Sequence, residues 1–318
     1  MNQPRVIIIL LNYNRPIDTL ECINSLKKLT YQNFMIILID NKSTDNSDSI
    51  FNKEFSFKKE EPCQDSPEII YFSTEKNLGY TGGTNYGIQK AMEINPEYIL
   101  ILNNDTITEP DFLDCMVNEM QNHKKAVASC GLILAEHDRK TIWYAGGTLN
   151  HLRGLAVHSL KGQSRDLITD VNSRYVDFIT GCMILFRSEA LKVIGLEDER
   201  YFMYLDDIEL SSRAKTMGLS LLFIPKAVIY HKILGETESP FKLYYSVRNR
   251  LLLISQMNKG LLRIISTAYF ITVIALKLIY WKLFNKNFYK AARIGIRDYY
   301  NKNFYKGNGM EFISYYET

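Results

Sequence analysis

The 318-residue chain reads as an α/β protein: a mostly parallel central sheet flanked by helices, with a helical tail at the C-terminus. Three observations predict this. Apolar runs of strand length recur at Val6 to Leu11, Met35 to Ile39, Ile69 to Phe72 and Tyr98 to Leu102, without the alternation of a half-exposed strand. The stretch between the first two has helical period. Each run ends on or leads into Asn, Asp or Gly, and ligands collect beyond the carboxyl ends of the strands in open α/β sheets.

The first run closes on Asn12-Tyr13-Asn14. Pro16 then suits the first turn of a helix, and Ile17, Leu20, Ile23 and Leu26 give that helix one apolar face. The second run closes on Asp40-Asn41, with Ser43-Thr44-Asp45 beyond, completing a β-α-β unit. Phe51 to Pro67, rich in Lys, Glu, Ser and Pro, reads as a surface loop. The third run leads into Asn77-Leu78-Gly79-Tyr80-Thr81-Gly82-Gly83-Thr84-Asn85-Tyr86-Gly87, whose second half can start a helix and whose glycines allow close backbone approach. Further on, Thr141 to Leu160 reads as a β-rich insertion. Gly181 to Phe186 and Leu219 to Ile224 read as strands, the latter ended by Pro225, and a helix runs from the Asp206-Asp207 pair to about Met217.

The fourth run delivers Asn103-Asn104-Asp105-Thr106 to the sheet edge, one carboxylate and two carboxamides. A hard divalent cation takes oxygen ligands such as Asp, completed by substrate phosphates, so a metal-diphosphate fits there. Taken alone the tetrad is equally an Asn/Asp turn. The glycine segment does not match G-x-G-x-x-G, and no G-x-x-x-x-G-K-[ST] occurs, so neither a dinucleotide fold nor a P-loop is supported. Four strand ends of like chemistry favour one shared site. A uracil or thymine ring could stack near Tyr13 and be read through its imide by Asp40, with Asn77 and Asn85 holding polar groups nearby.

The ordered set Leu11-Asn12-Tyr13-Asn14-Arg15, Asp40-Asn41-x-Ser43-Thr44-Asp45, Asn77-x-Gly79-Tyr80-x-Gly82-Gly83-x-Asn85-x-Gly87 and Leu102-Asn103-Asn104-Asp105 resembles glycosyltransferase family 2. The likeness extends through Asp177-Phe178-x-x-Gly181-Cys182, Tyr201-Phe202-x-Tyr204-Leu205-Asp206-Asp207-Ile208-Glu209-Leu210, His231 and Tyr244-Tyr245-x-x-Arg248-Asn249-Arg250, covering residues 5 to 250. Within that family the chain most resembles bacterial rhamnosyltransferase-like members that build surface polysaccharides.

The resemblance implies a GT-A fold, with a Rossmann-like nucleotide-binding half and an acceptor half. It also implies a UDP- or dTDP-linked sugar donor, a glycan or lipid-linked acceptor, and inversion at the anomeric carbon. Donor contacts then fall on Asn12, Tyr13, Asn14, Asp40, Asn77, Gly79, Gly83, Asn85, Asn103 and Asn104, with Arg248 and Arg250 as a diphosphate clamp. Asp105 and His231 become ligands of a divalent Mg or Mn ion. Asn103 stands where many members carry an Asp, and a neutral carboxamide weakens a cation site. The general base falls on Asp207, with Asp206 the alternative. Adjacent buried acids push one pKa upward and a helix N-terminus favours their charge. An ordinary capping cluster, with Arg213 pairing to a carboxylate a turn or two earlier, accounts for the same residues. Lys232 to Lys242, with Gly235 and Pro240, reads as a lid.

Composition sets the bounds. With 46% hydrophobic residues the chain can bury a large core, divided here as a catalytic domain 1–258 and an apolar, basic tail 259–318. A net charge of +3 is too mild to argue for nucleic acid. Five scattered cysteines without a C-x-x-C pair suit a reducing cytosol and no structural zinc, and residues 6–11 are too short an apolar run for a signal peptide. In the tail, Leu261 to Phe284 is strongly apolar but carries Arg263, Lys277 and Lys282, with Lys286, Lys290, Arg293 and Arg297 following. Three readings stay open: an interfacial helix at the inner face of the cell membrane, packing on protein or a second copy of the chain, and a true span. Two other functions compete. A nucleotide-sugar pyrophosphorylase carries a glycine-rich loop where Asn12 to Arg15 stands, and a non-catalytic carbohydrate-binding protein can occupy the same fold.

Overall fold

The computed structural model describes residues 3–55, 68–232, 238–309 and 311–312. Most of the loop expected at Phe51 to Pro67, and the centre of the lid expected at Lys232 to Lys242, lie outside the described residues. In chain order the first half runs β1 (Val6–Asn12), α1 (Pro16–Leu26), β2 (Phe34–Asp40), α2 (Ser47–Phe55), β3 (Glu68–Ser73), α3 (Gly79–Glu93) and β4 (Tyr98–Asn103). The second half adds β5 (Thr106–Thr108), α4 (Phe112–Asn122), β6 (Ala126–Ala135), β7 (Ile142–Tyr144), β8 (Gly147–Asn150), β9 (Leu155–His158), β10 (Arg174–Val176) and β11 (Met183–Arg187). It closes with α5 (Ser188–Ile194), α6 (Asp206–Thr216), β12 (Ser220–His231), α7 (Pro240–Met257), α8 (Gly260–Phe284) and α9 (Lys286–Tyr300).

The main sheet has the order β10-β12-β6-β11-β4-β1-β2-β3, with β5 also on β12 and β7 on β6. The half built from β1 to β4 is parallel, as the two-faced apolar runs require; β1, β2 and β4 are almost wholly buried, while β3, at the sheet edge, buries only Ile69 fully. β11 enters antiparallel between β4 and β6, while β12 runs parallel to β6. Register brings the chemistry into line: Asn12 lies opposite Asp40, Leu11 opposite Asn103, and Asp40 opposite Ser73. His231 arrives beside them from the other half, opposite Thr106 of β5 and Ala135 of β6.

Two local expectations need correction. Ile17 is 59% exposed, and α1 buries Pro16, Thr19, Cys22, Ile23 and Leu26 instead; the inner stripe is a mixture of apolar and small polar residues. Pro225 does not end a strand, because β12 continues to His231. The proline, which has no N–H to give a ladder, sits where the β12–β6 register shifts between Ile224 and Val228, a bulge that tolerates it.

The tail packs on α7. Leu243, Val247, Leu251 and Ile254 form one buried cluster with Phe270, Ile274, Trp281 and Ala292 of α8 and α9. The opposite face of α8 is bare: Leu276, Ile279 and Leu283 are 65%, 64% and 72% exposed.

Candidate active site

At the sheet edge the β1 and β2 ends are tied into one unit. Asn12, fully buried, donates from Nδ2 to Asp40 Oδ1 at 2.8 Å and accepts from the Thr19 hydroxyl at 2.9 Å. Asp40 also accepts from the Ser43 N–H at 2.9 Å and from its hydroxyl. Asn14, held at φ 54°, accepts the Thr44 N–H at 2.7 Å, and Asn104 donates to Thr19 at 2.8 Å. Tyr13 and Asn103 are half-buried. The sequence anticipated these positions, but Asn12, Asn14 and Asp40 are joined chiefly to one another and to the following loop.

The glycine segment works differently from a phosphate cradle. A Cβ on Gly79, which sits at φ +73°, would lie 2.4 Å from the Phe202 carbonyl oxygen, and one on Gly83 would lie 2.5 Å from a Leu11 methyl. These glycines let α3 close onto a loop and onto β1. Asn77 accepts from the Gly79 N–H at 2.8 Å, and Asn85, 2% exposed, bonds the backbone N–H and C=O of Glu197. The donor contacts expected of Asn77 and Asn85 therefore compete with contacts the fold already makes.

Asp105 and His231 do come together. His231 Nε2 stands 3.2 Å from Asp105 Oδ1, and the Lys232 N–H donates to the Asp105 carbonyl at 2.9 Å. His231 Nδ1 is buried without a hydrogen-bond partner, the orphan a ligand site leaves. Among the described residues no cluster of three or more His, Cys, Asp or Glu forms a closed cage. One carboxylate and one imidazole nevertheless suit Mg²⁺ or Mn²⁺ sharing its remaining positions with a diphosphate and water.

Across the β11 side lies the acidic pair. Asp206 is 4% exposed. Asp207 accepts the Gly181 N–H through Oδ2 at 3.1 Å and the Ile208 N–H through Oδ1 at 2.9 Å. Burial, then the neighbouring Asp207 charge, pushes the Asp206 carboxyl up to about 8; burial also raises Asp207, opposed by the Gly181 N–H and by His158. Arg213 pairs with Glu209 at 2.8 Å, as a capping cluster would have it, but leaves the Asp206-Asp207 pair without that cation.

The chain reaches this pair through strained backbone: Phe202, Tyr204 and Leu205 all have φ near +65°. Arg248 and Asn249 hold it there. Arg248 is fully buried and donates to the carbonyls of Tyr201 at 2.8 Å, Arg200 at 3.1 Å and Tyr305 at 2.7 Å. Asn249 Nδ2 reaches the carbonyls of Tyr201, Met203 and Tyr204. Arg250 donates to the Arg153 carbonyl at 2.7 Å and lies over the Phe270 ring. The expected diphosphate clamp is thus corrected: a sealed guanidinium already bound to three carbonyls cannot reach a diphosphate, and Arg250 is held by Arg153 and Phe270.

Sequence reasoning missed Glu197, which is 5% exposed with both carboxyl oxygens unpartnered, and whose pKa rises well above the usual range through burial and then through the Asp206 and Asp207 charges. In the run Glu197-Asp198-Glu199-Arg200 it reads as a solvated charge. Trp143 and His158 were missed too, lying inside an insertion with no motif.

Strand ends that gather polar side chains on one edge of a mixed sheet, with a buried acidic pair opening α6, fit the GT-A fold. A family model described as Glycosyl transferase family 2 matches residues 7–195, and the chain belongs to that family. It is a glycosyltransferase. It is 25% identical over 227 residues to an N-acetylglucosaminyl-diphospho-decaprenol L-rhamnosyltransferase of Mycobacterium tuberculosis, covering 65% of this chain and 70% of the relative. To the dTDP-rhamnosyl transferase RfbF of Shigella flexneri it is 23% identical over 264 residues, 80% and 81% of the two chains. GalNAc-T7, solved with UDP, GalNAc and Mn²⁺, superposes with a TM-score of 0.61 at 18% identity over 78% of this chain; this chain spans 47% of that one, and the likeness is one of fold.

Proposed function

We propose that this enzyme transfers a sugar from a UDP- or dTDP-linked donor to a hydroxyl of a glycan or lipid-linked acceptor, inverting the anomeric carbon, in the assembly of a cell-surface polysaccharide. The observation that carries the reading is the buried Asp206-Asp207 pair at the start of α6, with Asp207 held by the Gly181 N–H. Asp207 takes the acceptor hydroxyl's proton as its oxygen attacks the anomeric carbon, and the nucleoside diphosphate leaves from the opposite face. Asp105 and His231 hold the diphosphate end; a divalent cation bound there supplies positive charge to the leaving group. In this reading Asp40 and Tyr13 contact the nucleotide base, and Asn103 and Asn104 the diphosphate end. Relatives named for rhamnosyl transfer, and a fold neighbour solved with UDP and Mn²⁺, support the donor class and the metal. The test is nucleoside diphosphate release from UDP- and dTDP-sugars with Mg²⁺, Mn²⁺ or chelator, wild type beside Asp105→Ala. Metal-dependent release lost in the variant supports the scheme; chelator-resistant release removes the metal from it.

The acceptor side of the proposal rests on the tail. Of twenty large hydrophobic side chains exposed among the described residues, ten lie on α8, whose most apolar window has a mean hydropathy of 1.8. From Lys259 to Arg297 the chain has eight Lys and Arg and no Asp or Glu. Such a face suits an anionic lipid surface at the inner side of the membrane, and its like charges disfavour a second copy of itself. Because Phe270, Ile274 and Trp281 are committed to α7 and α9, the helix lies on the bilayer and does not cross it. Sedimentation with anionic but not neutral vesicles, abolished by Leu276→Glu with Ile279→Glu, is the expected result; a wild-type chain left in the supernatant by both overturns it.

A further inference from the structure

β7 is three residues long, and its outer members Ile142 and Tyr144 are fully buried, 1% and 0% exposed. Strand alternation turns Trp143 to the opposite face, where it is half-buried. There its ring centroid lies 4.8 Å from that of His231 and 5.5 Å from that of His158. His231 meets Asp105, while His158 packs on Phe178 with ring centroids 5.4 Å apart, in the segment whose Gly181 N–H donates to Asp207. The indole therefore stands between the diphosphate end of the site and its base. In a displacement at an anomeric carbon, that interval holds a sugar ring, with the leaving oxygen at one end and the attacking hydroxyl at the other.

We propose that Trp143 is the platform on which a pyranose ring stacks, either the donor's transferred sugar or the acceptor's receiving one. This rests on the transferase reading above. A pyranose presents patches of C–H bonds, and an indole face offers them a broad surface with negative character. The Lys161 ammonium lies 5.5 Å over this ring, a long-range contact that an arriving sugar displaces at small loss. The orphaned Nδ1 of the neighbouring His231 marks the same region as incomplete without a ligand. Nothing in the run Ile142-Trp143-Tyr144 singles the residue out, because a half-buried aromatic in a short strand reads as ordinary packing.

The chain has two tryptophans, Trp143 and Trp281, and Trp281 sits in the tail cluster, so Trp281→Phe leaves Trp143 as the sole indole reporter. UDP, dTDP, their sugar conjugates, and methyl glycosides added after the nucleotide are titrated with Mg²⁺ while indole emission is followed. Sugar-bearing ligands shift the emission to the blue, and the bare nucleotides do not. A shift with the conjugate assigns the platform to the donor, and one with the glycoside assigns it to the acceptor. Trp143→Ala then raises KM for that ligand roughly tenfold with nucleoside diphosphate affinity within about twofold, and Trp143→Phe restores most of it. Equal responses to nucleotide and conjugate, or silence towards every sugar in a chain that hydrolyses its donor, overturn the assignment. A chain that releases no nucleoside diphosphate from any donor fails earlier, at the transferase reading. If Trp143→Ala does not fold, the emission experiment decides alone.

Discussion

Replacing Asp207 by Asn removes a base while changing little else. The carboxylate accepts two backbone N–H groups, from Gly181 at 3.1 Å and Ile208 at 2.9 Å. A carboxamide has one oxygen, so one N–H loses its acceptor and faces an NH₂ group, a cost of about 1–3 kcal/mol. Against this, the substitution removes a buried charge crowded by Asp206 and Glu197, a relief of about the same size. The variant should therefore fold with stability within about 2 kcal/mol of wild type. Loss of general-base catalysis should lower kcat by roughly 10²- to 10⁴-fold. Nucleoside diphosphate affinity, measured by calorimetry, should stay within about twofold, since that ligand is assigned to the other side of the cleft. The assay is nucleoside diphosphate release with the donor found active, and Asp206→Asn serves as its control. Turnover kept by Asp207→Asn and lost by Asp206→Asn would move the proton to the other carboxylate; turnover kept by both would refute the acidic pair as base.

The same pair predicts a pH dependence. A base raised by burial is protonated as pH falls, so the rate should drop on an acidic limb above the ordinary carboxylate range. For stability the sign is the reverse: a folded-state pKa of about 8 for Asp206 means its contribution is full below the unfolded value near 3.8 and is lost as pH rises through 8. Asp206→Asn should accordingly raise the melting temperature at pH 9 relative to wild type and change it little at pH 4; an equal shift at both would dissociate the effect from titration. Arg248→Leu should destabilise by about 3–5 kcal/mol, because three carbonyls lose a buried donor, and denaturant unfolding checks it. A well-folded variant with only a raised donor KM would return Arg248 to the diphosphate. Gly83→Ala, forced against a Leu11 methyl at 2.5 Å, should cost about 1–3 kcal/mol on the same assay.

The parallel half of the sheet was legible because β1, β2 and β4 are buried on both faces and announce themselves, with the edge strand β3, as continuous apolar runs. β6 and β12 were harder, since Ala126–Ala135 mixes Ser and Gly into its run and β12 carries Pro225 in a bulge. Of the proposed site, the order of motifs anticipated that Asp105 and His231 meet and that Asp206 and Asp207 open a helix, because residues at strand ends and helix starts keep fixed spacing from those elements. It failed for Arg248, where a buried arginine serving carbonyls and an exposed one serving phosphate have the same local sequence. It also failed for Glu197 and Trp143, whose meaning comes only from what the fold sets beside them.

The boundary drawn at residue 258 shows why sequence composition is a poor guide to separability. Apolar, basic character sets 259–318 apart, yet the tail closes on residues that support the acidic pair. Arg248 bonds the Tyr305 carbonyl as well as those of Arg200 and Tyr201, Tyr245 donates to the Lys306 carbonyl at 2.8 Å, and Tyr244 donates to the buried Asp298 at 2.6 Å. Truncation after Met257 would strip those partners from three fully buried side chains at once and uncover Leu243, Val247, Leu251 and Ile254. The expected outcome is a chain that loses catalytic activity and cooperative unfolding together, whatever happens to its membrane binding. Substitution of Leu276 and Ile279 on the outer face should separate the two, releasing vesicles while melting temperature and donor hydrolysis stay unchanged. A truncated chain that folds and turns over normally would show that the contacts to Tyr305, Lys306 and Asp298 do not position the Phe202–Leu205 turn, and that this turn is held from within the catalytic domain.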